Sequence, residues 1–382
     1  MNDALDGLRV LDLSTYLAAP QVSAILGDFG ADVVKVEPPG GDPMRTLGAQ
    51  RGGASLMWAL VARNKRSVVV DTATAAGITR LQGLTAAADV VVVNQPEGLL
   101  DRWGCTPAAI SARNPAAVVV TVSCYGTDGP YAGRPGAGSL AEAFAGLTGL
   151  TGMSDGPPML TGAPIGDTLV ALSGVIGTLL ACYHRDARGG GGQHVDVSMF
   201  EPILTLLGPV LAGWDPAGPP AVRSGSRITG GVPRNVYQAA DGSWLAVSGT
   251  TDDQVGRLLP LLGRNRPEDL ARFGRSAERL LVADELDALV AGWIASRDGP
   301  GVLAALLDAR IPVAPVNDLA RLVSDPHVRS RGSIIEVDQG PNGPVPLPGP
   351  APHLAATPGR LHSPAPALGE GETEVLAGWL GG

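Results

Sequence analysis

Charge and aromatic surface are both scarce in this sequence: of its 382 residues 17% are charged and 4% aromatic, and the formal net charge is −9. That balance argues against broad electrostatic attraction to nucleic acid or to an anionic membrane surface. No nucleic-acid or membrane partner is therefore expected, while local basic patches for a phosphorylated ligand stay open. Cysteine is scarcer still. Cys105, Cys124 and Cys182 are odd in number and show no CxxC spacing, which fits a reducing cytosol and neither a disulfide framework nor a zinc site. Each reads as a small core residue. No uninterrupted apolar run of ~18 residues free of charge and turn signals stands out as a membrane span. The opening Met1 to Asp6 lacks the basic and apolar regions of a signal peptide, and a cytoplasmic location is the expectation. Also missing are the dinucleotide fingerprint GxGxxG, the phosphate-binding GxxxxGK(S/T) and the nucleophile elbow GxSxG. Their absence disfavours a nicotinamide oxidoreductase, a nucleotide hydrolase and a serine hydrolase.

Glycine and proline are abundant, at 53 and 33 residues, beside 45% hydrophobic side chains. Many turns around a sizeable core is a globular, enzyme-like composition, and at this length two domains, or one with a large insertion, are expected. Short Val-rich runs at Leu8–Leu13, Val33–Glu37, Ser67–Asp71, Asp89–Asn94 and Ala117–Ser123 alternate with helical stretches at Pro20–Phe29, Ala75–Ala88 and Pro107–Arg113. That alternation predicts an α/β fold with a parallel, doubly wound, Rossmann-like sheet. Helices at Ser139–Thr148 and Asp167–His184 then lead to a strand at His194–Met199. Composition shifts at Asp215-Pro-Ala-Gly-Pro-Pro220, a linker signal. Beyond it come a hairpin at Arg234–Gln238 and Trp244–Ser248 around Asp241-Gly242 and helices at Thr251–Leu262, Ser276–Ser296 and Pro300–Ala309. The expected layout is a large domain over residues 1–213, a linker over 214–230, a smaller α+β domain over 231–325, and a final segment, 326–382, returning to the large domain. Proline-rich stretches occur at Pro341–Pro352 and Pro358–Pro366.

Asp167 opens an apolar run that continues to Tyr183. With no polar face at a period near ~3.6 residues, the run reads as a helix buried on all sides. An acid at its entrance accepts hydrogen bonds from unpaired first-turn N–H groups, feels the positive end of the helix dipole and stays ionised at neutral pH. From local sequence alone, Asp167 reads as a plain N-cap, because an acid before an apolar helix is the commonest cap signal.

Several motifs, in order along the chain, resemble the class III (CaiB/BaiF) coenzyme A transferases. They are Leu5-Asp-Gly-Leu-Arg-Val-Leu-Asp-Leu13, Gly30-Ala-Asp-Val-Val-Lys-Val-Glu-Pro38, Arg63-Asn-Lys-Arg-Ser67, Asn94, Asp101-Arg-Trp-Gly104, Gly162–Gly174, Gly192–Asp196, Pro233–Gly242 and Ala367-Leu-Gly-Glu370. The family includes formyl-CoA transferase, carnitine CoA-transferase and the related α-methylacyl-CoA racemases, and the likeness runs essentially end to end.

The resemblance implies a CoA transferase moving CoA from an acyl-CoA donor to a free carboxylic acid acceptor. Asp167 is the implied nucleophile, passing through a mixed anhydride and an aspartyl-CoA thioester. No metal is implied and no permanently bound cofactor; CoA and its acyl esters are substrates. CoA contacts are implied at Thr15, Leu17 and Ala18 in the first loop, at the cations Lys35, Arg63, Lys65, Arg66 and Arg102, and at Asn94. For Lys65 and Arg66, solvated surface cations are an equal reading. Gly230 and Gly231 are the implied lid or oxyanion loop, with a plain turn as the alternative. The resemblance also implies an interlocked homodimer. Two other functions are alternatives: an acyl-CoA racemase, disfavoured because Ala137 and Gly138 stand where its second base belongs, and a noncatalytic CoA-binding protein, disfavoured by the retained Asp167.

Overall fold

The computed structural model describes residues 3–228, 230–339 and 343–381. Thr229, inside the glycine-rich segment, and Pro341, at the head of a proline-rich stretch, lie outside the described residues. Two compact units are present: Met1–Thr148, Leu160–Pro219 and Pro326–Gly382 form the first, Gly149–Met159 and Pro220–Asp325 the second.

The first unit is built on a six-stranded sheet. Its strands are β1 (Arg9–Asp12), β2 (Asp32–Glu37), β3 (Lys65–Val69), β4 (Val90–Val93), β5 (Val118–Ser123) and β6 (His194–Ser198). Every neighbouring pair is parallel and the order is β3-β2-β1-β4-β5-β6. The expected parallel α/β architecture is thus what the chain adopts. β-Branched runs suit strands covered on both faces, and all the valines of β4 are fully buried. Val34, Val68, Val91 and Val119 meet Leu81 and Leu84 in one core. Strand order reverses between β1 and β4, which in open α/β sheets is where the crevice outside the carboxyl ends of the strands takes ligands.

The helices of this unit include α1 (Ala18–Asp28), α2 (Ala75–Ala87), α3 (Gly138–Phe144) and α4 (Ile165–Arg188). α4 corrects the expectation of a helix buried all round. Val170, Ala171, Gly174, Thr178, Ala181 and Cys182 are buried, whereas Leu172, Ile176, Leu179, Leu180 and Tyr183 are exposed. Small residues line the inner face because α1 lies so close: a Cβ on Gly174 would stand 2.7 Å from Val22 Cγ2. Larger side chains are left to the outer face. Arg102 belongs to the helix Glu97–Trp103, which was not among the expected elements.

In the second unit the hairpin forms as expected, Arg234–Gln238 pairing antiparallel with Trp244–Ser248. Val313–Pro315 completes the sheet on the other side of Trp244–Ser248. The single helix expected over Ser276–Ser296 is broken into Ser276–Leu280 and Ala283–Ala295. The reason is tertiary: the fully buried Arg279 turns inward to the carbonyls of Val232 (3.0 Å) and Gly274 (3.2 Å) and to Asp252 (2.6 Å).

Candidate functional site

The N-termini of α3 and α4 meet backbone to backbone. A Cβ on Gly166 would stand 2.6 Å from the Gly138 carbonyl oxygen, and one on Gly138 would stand 2.1 Å from Asp167 Oδ2 and 2.6 Å from its Cγ. The Asp167 carboxyl therefore occupies the volume a side chain at position 138 would fill. Ala137 and Gly138 bring no titratable group to it.

Asp167 is the third residue of α4, and Pro164 holds the N-cap position without a side-chain cap. The capping role expected of Asp167 is taken instead by Glu142, a residue sequence reasoning missed. Glu142 is buried on α3. Its Oε1 accepts the Gly166 N–H at 3.0 Å and its Oε2 accepts the Thr161 hydroxyl at 2.6 Å. The one sequence signal was an acid inside the otherwise apolar run Leu140–Leu147. Burial first, and then the Glu142 charge, push the Asp167 carboxyl above its ordinary value, against a hydrogen bond from its own backbone N–H. The balance at this helix start thus runs opposite to a simple dipole argument, because desolvation and a like charge act on the same group.

Cys124 follows β5 and is buried, its Sγ 3.9 Å from the Ala137 carbonyl. Burial pushes its thiol upward and the Asp167 charge adds to that, so it is a neutral wall rather than a thiolate. Beside it Tyr125, Tyr131, Phe144 and Phe200 form an edge-to-face cluster with centroids 5.1 to 5.9 Å apart. The Arg134 guanidinium lies 3.7 Å above the Tyr131 ring. Scarce aromatics are concentrated here.

At the β1/β4 switch point the loop after β1 is clamped. Asn94 Oδ1 accepts the Thr15 N–H at 2.9 Å and its Nδ2 donates to the Thr15 carbonyl at 2.8 Å. Tyr16 follows with φ +67° and is half exposed, a conformation that costs a non-glycine residue energy and recurs at functional sites. Leu17 packs against Met44 and Trp58, and Ala18 is buried at the start of α1.

The expected cations are mostly turned inward. Lys65 Nζ lies 2.7 Å from Asp12 and 2.8 Å from the Pro20 carbonyl, and Lys35 Nζ lies 2.9 Å from Asp42 and 3.8 Å from Asp12. Arg63 grips Asp28 at 2.9 and 2.6 Å, and Arg66 pairs with Asp32 while about one-third exposed. Arg102 is exposed near the end of its helix. Gly230 and Gly231 lie in the second unit, Gly230 at φ +83° and Gly231 bridged to Ile228. On the nearer sides, Arg227 pairs with Asp284 and Asp287, and the Val232 carbonyl is held by Arg279. Among the described residues no cluster of His, Cys, Asp and Glu is arranged to hold a metal ion.

The family model described as CoA-transferase family III matches residues 5–372. Over 379 residues the chain is 35% identical to the succinyl-CoA–D-citramalate CoA-transferase of Chloroflexus aurantiacus, covering 99% of this chain and 94% of that protein. It is 31% identical over 383 residues to the succinyl-CoA:mesaconate CoA-transferase of Haloarcula marismortui, covering 98% and 96%. The crystal structure of a CAIB/BAIF family protein from Brucella suis matches with a TM-score of 0.86 at 30% identity, covering 99% of this chain and all of that one. With the parallel sheet, the sequence motifs and these relatives in agreement over nearly the whole length, the chain belongs to CoA-transferase family III and is an enzyme of CoA transfer.

Proposed function

We propose that the protein transfers CoA from succinyl-CoA to a free dicarboxylic acid, with Asp167 as the covalent carrier. The observation that carries this reading is the seat of Asp167, a carboxyl resting on the side-chain-free Gly138 backbone at a half-buried helix start. The dicarboxylic substrate class is carried over from the names of the relatives. Asp167 Oδ attacks the thioester carbon, the C–S bond breaks, and CoA leaves as thiolate with a mixed anhydride in place. The thiolate attacks Asp167 Cγ, expelling the donor's carboxylate and leaving an aspartyl-CoA thioester. The acceptor carboxylate then attacks Asp167 Cγ, CoA leaves again, and its attack on the acceptor acyl carbon gives the new thioester and frees Asp167. Two easier exchanges replace one between poor partners, and in each intermediate the Asp167 carboxyl stays activated, as anhydride or as thioester.

For CoA itself, the proposal uses the crevice at the β1/β4 switch point, with Thr15, Leu17, Ala18 and Asn94 as its wall and Arg102 as a cation toward phosphate; Arg66, paired with Asp32 at the amino end of β2, is turned to the other end of the sheet. Lys35 and Lys65, held by internal carboxylates, act on that wall by fixing the loop after β1, while Arg63 holds Asp28 at the far end of α1. Gly230 and Gly231 keep the lid role the resemblance gives them. A homodimer in a cytoplasmic setting completes the proposal, supported by the resemblance and by the apolar outer face of α4.

The test is a panel of acyl-CoA donors and free acids read by mass spectrometry of the CoA esters formed. Succinyl-CoA with a dicarboxylate is expected to react. Asp167→Asn, which keeps the shape, is expected to lose transfer by at least about a thousandfold with little change in stability. Near wild-type turnover in that variant overturns the assignment. The same panel in deuterated water separates transfer from racemization, since a two-base enzyme incorporates solvent deuterium at the α-carbon without an acceptor acid.

A further inference from the structure

We propose that Glu142 is the positioning residue for Asp167, a buried carboxylate that fixes the first turn of α4 and so sets where the Asp167 carboxyl points. This rests on the reading of Asp167 given above. Glu142 is 2% exposed, and a buried acid needs its oxygens occupied. One is bonded to the N–H of Gly166, the residue directly before Asp167, and the other to Thr161 in the loop that leads into α4. A single side chain thus ties α3, the 161–166 loop and the start of α4 together, where the next residue is the nucleophile. Gly166 lies against the Gly138 carbonyl, so loss of the tie frees the close backbone contact that seats the Asp167 carboxyl.

Its charge acts on the same group. After burial, the Glu142 field is the cause that raises Asp167. Few other titratable groups compete. Cys124, from the segment after β5, is neutral. α1 brings Asp28, already gripped by Arg63. β6 brings His194 and Asp196, bonded to Thr121 and Thr127. The helix Glu201–Leu206 brings Glu201, bonded to Ser198.

The test uses the full chain with succinyl-CoA and whichever of mesaconate or D-citramalate the panel finds turned over. In Glu142→Gln an acceptor oxygen for Gly166 remains and the charge is gone. The acid limb of kcat/KM, which reports the ionisation of Asp167 in the free enzyme, is expected to move to lower pH. In Glu142→Ala the tie itself is gone, and kcat is expected to fall by about tenfold or more with KM little changed, as for a misplaced reacting group. A Gln profile that superimposes on wild type, or an Ala variant with wild-type kcat, overturns the proposal. Should the Ala variant fail to fold by circular dichroism, the Gln profile decides alone. Transfer surviving in Asp167→Asn sinks the underlying reading, whereas an inactive Asp167→Asn beside unaltered Glu142 variants sinks only the positioning role.

Discussion

Asp12 is the residue on which the loops of the proposed CoA crevice depend. Fully buried at the end of β1, it faces Lys65 and Lys35 and accepts hydrogen bonds from the Ser14 and Ser23 hydroxyls at 2.5 and 2.7 Å. Burial pushes its carboxyl up, yet the two lysine charges outweigh that and hold it well below the usual carboxylate range. The two lysines differ for a reason visible in their partners. Burial lowers both, but Lys35 has Asp12 and Asp42 and ends above its ordinary value, while Lys65 has Asp12 alone and is lowered to about 8. A carboxyl held down by folding contributes stability that is present above its unfolded value of about 3.9 and fades as pH falls below it. Lys65 works in the other sense: its penalty is full below about pH 8 and is relieved as pH rises toward 10.5. Asp12→Asn leaves Lys65 with no carboxylate in a buried site, and we expect a loss of about 3–5 kcal/mol, measured by urea unfolding. A change under about 1 kcal/mol, the scale of an exposed pair, contradicts that account. None of this was visible in the sequence. A cation beside the strand ends looks the same whether it meets a phosphate or an aspartate, and Asp12 and Lys65 are 53 positions apart.

At the scale of elements, glycine carries opposite meanings in two helices. On α4, Gly174 admits α1 so closely that an added Cβ meets Val22 at 2.7 Å, whereas Gly256, in the helix Asp252–Leu261, has nothing within 4 Å of that position. Gly174→Ala is therefore expected to destabilise by about 1–3 kcal/mol through overpacking. Gly256→Ala is expected to stabilise by about 0.5–1 kcal/mol through helix propensity. Thermal melts that give both substitutions the same sign refute this reading of the α1–α4 contact. Strands and long helices were legible because β-branched runs and periodic stretches are local signals. What local reasoning missed was decided by distant partners: the break at Leu281 and Val282 answers to the burial of Arg279, and the start of α4 answers to Glu142, 24 positions before the Gly166 it caps. The helix Glu97–Trp103, only two turns long, left too little periodicity to read.

For the molecule as a whole, the outer face of α4 sets the expectation. Leu172, Ile176, Leu179, Leu180 and Tyr183 form one stripe, each at least 40% exposed, and contiguous apolar surface of that kind marks an association site. With the homodimer proposed above, sedimentation at nanomolar concentration is expected to find dimers, and Ile176→Lys to weaken them. A folded, stable monomer of the unaltered protein at that dilution contradicts the dimer.

The six-stranded sheet is closed at its β3 edge by chain from far downstream. Ser67 donates its N–H to the Glu370 carbonyl at 2.8 Å, Gly369 donates to the Ser67 hydroxyl across 302 positions, and the indole of Trp379 reaches Asp32 at 2.9 Å. During synthesis that edge strand therefore emerges long before its cover exists, and the whole second unit is made in between. An unpaired strand edge waiting on the ribosome is a template for wrong pairing. Yield in the cell is thus expected to depend on how well the nascent first unit is sheltered until the residues around Gly369 arrive, and a premature stop before them is expected to expose that edge rather than trim a dispensable tail.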